Sequence, residues 1–231
     1  GMKLTSKCAL VRCIEDIRAK FAQNTDKPSK RKARQKTLFE NSCFGRLFEM
    51  MHQLTFCGGL VHSMLARQVE TPDESLMEFN FFGQGAIFSL KEFGLITGLK
   101  LHGSSNARPP PSQRLINTYF DGKRGIRASV LRDVVVGLRI KDLEEEDDLV
   151  KLCLLYFLEC GVLCGNHKSS INMDHFSMVE DLAYFNQHPW GLESYRFLIE
   201  SLHKAFKKLN NSSSTYTLCG LTLAFQVCML S

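Results

Sequence analysis

Apolar residues recur at three-to-four spacing along most of the chain, which predicts helices rather than strands. Over residues 4–21 the stripe is Leu4, Ala9, Leu10, Ile14, Ile17 and Phe21. Over 43–56 it is Phe44, Leu47, Phe48, Met51 and Leu54, and a Gly58-Gly59 break sets off a shorter helix over 60–69. A further stripe over 127–141 comprises Val130, Leu131, Val134, Val135 and Leu138. LCLLYFLECGVLC (152–164) is apolar all round, so the helix 149–164 is expected to be the most buried. Helix 174–185, with Phe176, Val179, Leu182 and Ala183 inward, and helix 190–209 follow. The closing TLCGLTLAFQVCMLS is apolar again, and the chain stops in it as though inside a helix.

Between these helices the period changes once. In SLMEFNFFGQGAIFSL (75–90), Met77, Phe79 and Phe81 alternate with polar positions, and Gly83-Gln84-Gly85 turns the chain toward Ala86-Ile87-Phe88. This predicts a β-hairpin. Ser89 and Glu92 then form a capping box for a helix ending near Gly98 or Gly103. The stretch 103–125 holds three consecutive prolines and many turn formers, and reads as an exposed loop or lid. The fold class expected is mainly α (α+β): one helical domain with a small hairpin, 76–88, inserted near its centre. An N-terminal helix and basic linker, 1–36, precede the helical core, 37–231.

At 231 residues the chain can bury a substantial core. Hydrophobic residues at 44% and charged residues at 23% are the values of an ordinary globular protein, so disorder does not dominate. No apolar run reaches the roughly 20 residues that span a bilayer. The N-terminal apolar stretch is short and broken by Arg12, Glu15 and Asp16, unlike a signal peptide. Gly1 before Met2 reads as a cloning remnant. Nine cysteines, an odd number, are scattered mostly through apolar helical patterns. They read as buried thiols in a reducing compartment.

Net charge is +5, and its placement says more than its size. Lys27, Lys30, Arg31, Lys32, Arg34 and Lys36 form a basic run that could be a localisation signal or a phosphate-contacting arm, the plainer reading being a solvated linker. At the other pole, DLEEEDD (142–148) suits an exposed helix start, where carboxylates meet the positive dipole end. Cys160, Cys164 and His167 fall at i, i+4 and i+7, but an apolar helix explains the cysteines and no fourth ligand is spaced nearby. Gln53 and Cys57, with His52, His62 and His175, invite a cysteine-peptidase reading, although a helix-ending Cys beside Gly58-Gly59 explains the same letters. No metal or other cofactor is expected. Gly83-Gln84-Gly85 lacks the following Lys of a phosphate loop. In AYFNQHPWGLESY (183–195), Pro189, Trp190 and Gly191 read as a structural corner between two helices, with the indole N–H seeking a buried carbonyl or a water.

Five blocks together resemble a known family: SCFGRLFEMMHQLTFCGGLVHSMLARQVE, LMEFNFFGQGAIFSLKEFGLITGLKLHG, LVKLCLLYFLECGVLCG, MVEDLAYFNQHPWGLESYRFLIESLHKAF and YTLCGLTLAFQV. This resembles the plant domain of unknown function numbered nineteen-eighty-five, over roughly residues 37–230. Similar domains occur in transposon-derived plant proteins, often upstream of a SUMO-type cysteine-protease domain, and the likeness extends distantly to the plant mobile domain. The resemblance supplies no catalytic residue: the protease order His, Asp, Gln, Cys has no counterpart here. It implies a non-catalytic interaction module of a nuclear rather than cytoplasmic protein, binding a protein partner or chromatin and nucleic acid. The alternative is part of a SUMO-type peptidase whose catalytic domain lies outside this chain. The oligomeric state stays open.

Overall fold

The computed structural model describes residues 9–22, 30–103, 107–164, 170–210 and 216–230, apart from the side chains of Ala9, Lys32 and Asn210. Helices dominate, with one small antiparallel sheet. At the centre lies α8 (Asp148–Phe157), every residue of which is buried. A π-helical turn, Leu158–Val162, extends it. This is the buried helix expected from the run of apolar letters. Around it pack α1 (Ala9–Ala22), α2 (Lys30–Glu40), α7 (Ala128–Gly137) and α9 (Met173–Glu180). Phe39, Phe44, Phe48 and Phe157 meet here edge-on or tilted, at centroid distances of 5.1–6.3 Å. Such rings add specific packing to their buried area.

A second aromatic group sits under the sheet. Strands β1 (Gln68–Val69), β2 (Met77–Phe81) and β3 (Gln84–Phe88) pair antiparallel in that order, with Met77 opposite Phe88 and Phe81 opposite Gln84. Phe79 and Phe88 pack on Phe225 of α12 (Thr222–Cys228), and Phe88 also meets Phe93 and Tyr195. Only the base of the hairpin reaches the core: Phe82 at its tip is 95% exposed. The turn is Phe82-Gly83, one step earlier than expected, with φ of 55° and 91°. Both residues are left-handed, as a two-residue hairpin requires. Asn80 Oδ1 accepts from the Gly83 amide at 2.8 Å and steadies it.

Several expectations are confirmed and several corrected. Ser89 caps α5 (Leu90–Thr97) with Glu92 reaching back, and left-handed Gly98 ends the helix. The helix expected over 43–56 is α3 (Gly45–His52). That over 60–69 is α4 (Gly58–Leu65), shortened because Gln68 and Val69 leave it to form β1. Residues 4–8, 23–29 and 211–215 lie outside the described residues. The basic stretch becomes regular at Lys30, so position 36 falls inside α2. The supposed loop 103–125 contains α6 (Arg114–Phe120), which buries Leu115, Ile116 and Phe120. In α7, Leu131 and Val135 are fully buried but Val130 faces solvent. The helix expected over 174–185 is two helices. Asp181 ends α9 and caps α10 (Leu182–Gln187), accepting from the Tyr184 amide at 3.0 Å. That break resets the phase, so Phe185 turns inward in place of Ala183. Helix α11 (Trp190–Asn210) runs as expected. The closing helix α12 ends at Cys228, before the last residue.

Candidate functional site

The basic run folds back on the acidic one. Lys27 and the Lys32 side chain lie outside the described residues. Lys30 is exposed at the start of α2. Arg31 Nη2 donates to the Glu145 carbonyl at 3.3 Å. Arg34 pairs with Glu146 at 2.6 Å, and Lys36 with Glu40 at 3.4 Å. The structure therefore sets part of the cationic helix against the protein's own carboxylates.

The other side of the acidic run is not an exposed helix start. Asp148 is 0% exposed and accepts a fork from Arg114 at 2.6 and 3.0 Å. Tyr119 Oη donates to it at 2.6 Å, and the Glu145 amide at 3.0 Å. Arg114 also reaches Glu180 at 2.8 Å, and Lys151 binds Glu180 at 3.0 Å and Glu145 at 3.1 Å. Burial by itself would raise the Asp148 pKa; the Arg114, Tyr119 and Glu145 hydrogen bonds outweigh it and hold the carboxyl below its ordinary range. Glu180 is lowered likewise, against burial, by Arg114 and Lys151. Carboxylate oxygens of Glu145, Asp147 and Asp148 lie within 4.8 Å of one another, but each already pairs with Lys151 or Arg114. The group ties α6, α8 and α9 together, a clamp rather than acid–base machinery.

The remaining candidates also resolve into structure. Trp190 is buried and its Nε1–H donates to the Phe185 carbonyl at 2.8 Å, the partner its indole required. His188, in extended geometry before Pro189, lies 4.2 Å from the indole centroid, and His175 lies 5.2 Å away on an edge. His175 is bonded to Glu159 of the π-turn at 2.5 Å, and His188 to Glu193 at 2.6 Å. Gly191 has no room for a side chain: a Cβ would stand 2.7 Å from the Lys100 carbonyl oxygen. Cys57 is exposed at the start of α4, and its amide is held by Gln226 Oε1, not by Gln53. Of its candidate bases, His62 is bonded to Tyr216 and His175 to Glu159. Burial, with the neighbouring Glu159 and Cys164, pushes the Cys160 thiol up to about 12, which disfavours the thiolate a metal needs. His167 lies outside the described residues.

What the residue patterns did not reveal is a groove of about 800 Å³ between α5 and α11. Leu90, Leu95 and Gly94 form one wall; Leu192, Tyr195 and Ile199 form the other; Leu101 lies among the lining. Two glycines make this close fit. A Cβ on Gly94 would come within 2.6 Å of Leu101 Cδ1, and one on Gly191 within 3.0 Å of its Cδ2. Lys91, Arg196 and His102 supply the charged or titratable lining groups, and Ser75 and Ser89 the hydroxyls. Tyr195 Oη donates to the Ser75 carbonyl, pinning α11 to the segment before β2. The residue that marks it in the structure is Leu95, out of phase with buried Phe93 and Thr97 and 77% exposed.

Residues 65–201 match the model of a family described as a domain of unknown function, DUF1985. No curated protein and no solved structure matches the chain. Every residue lining the groove, from Ser75 to Ile199, lies inside the matched span, whereas the basic helix α2 lies outside it. The match covers more than half the chain, and the protein belongs to the DUF1985 family.

Proposed function

We propose that this protein is a non-catalytic interaction module that binds a protein partner in the α5/α11 groove. By family resemblance it would act within a transposon-derived plant nuclear protein. One observation carries the reading: an open, mainly apolar groove is built wholly from the segment that matches the family. Concave apolar sites with a few polar groups are where ligands and peptide segments bind. No helix among the described residues is long and apolar enough to cross a membrane, so exposed Leu95 is not accounted for by a spanning segment. The nucleic-acid alternative rests on α2 and is weaker, because Arg31 and Arg34 already face Glu145 and Glu146.

The test is panning of a phage-displayed random peptide library against the protein and its Leu95→Lys variant. Peptides that bind the first and not the second establish a groove function. Enrichment of none, together with a salt-sensitive mobility shift on duplex DNA, overturns it in favour of nucleic acid, since phosphate contacts strengthen at low salt.

A further inference from the structure

We infer that the groove takes an acidic amphipathic helix of its partner, with apolar anchors on the floor and carboxylates against a cationic rim; this rests on the partner-site reading above. The lining is apolar through Leu95, Leu101, Leu192 and Ile199, and Lys91 on one wall and Arg196 on the other add exposed cations. No carboxylate lines the groove. Both cations are exposed, and neither forms a salt bridge among the described residues.

The carboxylates nearest in sequence are already engaged. Glu92 accepts from Ser89 in the capping box, Glu193 is bonded to His188, and Glu200 pairs with Lys204. Glu92 and Glu193 feel Lys91 and Arg196 through space but form no ion pair with them, and facing cations beside an apolar lining select for charge as well as shape. Helical walls favour a helical guest. No residue of either edge strand, β1 or β3, lines the groove, so a peptide added as a further strand would not fill it. An amphipathic helix with anchors at i, i+3 or i+4, and i+7 lays one apolar face into such a channel and presents flanking side chains to both walls.

The experiment starts from the peptides whose panning enrichment is lost with Leu95→Lys. Each is synthesised in two versions, with glutamate or lysine at the positions flanking the apolar anchors, and binding is followed by fluorescence anisotropy. The glutamate version should bind at least about tenfold more tightly. The order should invert on the Lys91→Glu/Arg196→Glu double variant, with circular dichroism spectra unchanged. Equal affinities, or tighter binding of the lysine version, overturn the acidic guest while leaving the groove function standing. Enrichment of no groove-dependent peptide removes both. A peptide that binds in the groove without gaining helical circular dichroism overturns the helical guest.

Discussion

The acidic run 142–148 meets cations on two sides. Toward solvent, Arg34 and Glu146 stand 2.6 Å apart with side chains 66% and 62% exposed. Toward the core, Arg114 and Asp148 are also 2.6 Å apart, but Asp148 is wholly buried and carries the Tyr119 and Glu145 hydrogen bonds as well. The distances match and the surroundings do not. In water, each ion of the outer pair exchanges a hydration shell for a partner with little net gain. In the interior Asp148 has no shell to return to, so loss of Arg114 strands its charge. Contact distance alone would rank the two pairs as equals; burial separates them.

The comparison can be broken by measurement. Trp190→Ala sets the scale for a buried loss without charge, and should cost about 3–5 kcal/mol in urea unfolding. Asp148→Ala should fall in the same range, about 3–5 kcal/mol, because the Arg114 fork, the Tyr119 hydroxyl and the Glu145 amide all lose their shared acceptor. Replacing both by apolar residues of similar volume, Asp148→Leu with Arg114→Met, should cost less than the single change. If it costs more, the clamp is adding net stability rather than only punishing its own disruption.

Acid should separate the two faces next. Asp148 and Glu180 are held below their ordinary pKa values in the folded protein, so the unfolded chain binds more protons as pH falls. Their stabilisation is present above the unfolded carboxylate range near pH 4 and is lost as pH drops through the lower folded values. Asp148→Asn should flatten that acid slope. At the smaller end, Arg34→Ala should cost less than about 1 kcal/mol, and less again in high salt. Leu95→Lys should shift stability by no more than about 0.5 kcal/mol, which is what qualifies it as a probe of binding rather than of folding. An Asp148→Ala cost no larger than that of Arg34→Ala would end the contrast.

Local signals were legible in the sequence and distant ones were not. The Ser89–Glu92 box, the apolar α8 and the Trp190 corner are each written within a few neighbouring residues. The corner could be read down to the need of its indole N–H. Helix α6 was hidden behind three prolines, and its worth lies in Arg114 meeting carboxylates 34 and 66 residues away. No period announces such a meeting. The same holds for the basic and acidic runs, whose contact joins Arg34 to Glu146 across 112 residues. The break at Asp181 was legible in principle, since an Asp before a short apolar group is a cap signal, but the continuing apolar pattern masked it. The groove escaped because it depends on what two glycines allow neighbouring segments to do, and glycine carries no apolar signal of its own.

The Trp190 corner has one more consequence, an optical one. The chain contains a single tryptophan, set between the imidazoles of His175 and His188. Its emission therefore comes wholly from the joint between α10 and α11, with no second indole to blend the signal. A buried indole emits at shorter wavelength than a hydrated one, so opening of this joint reads directly as a red shift. The molecule thus carries its own label for the packing of this joint.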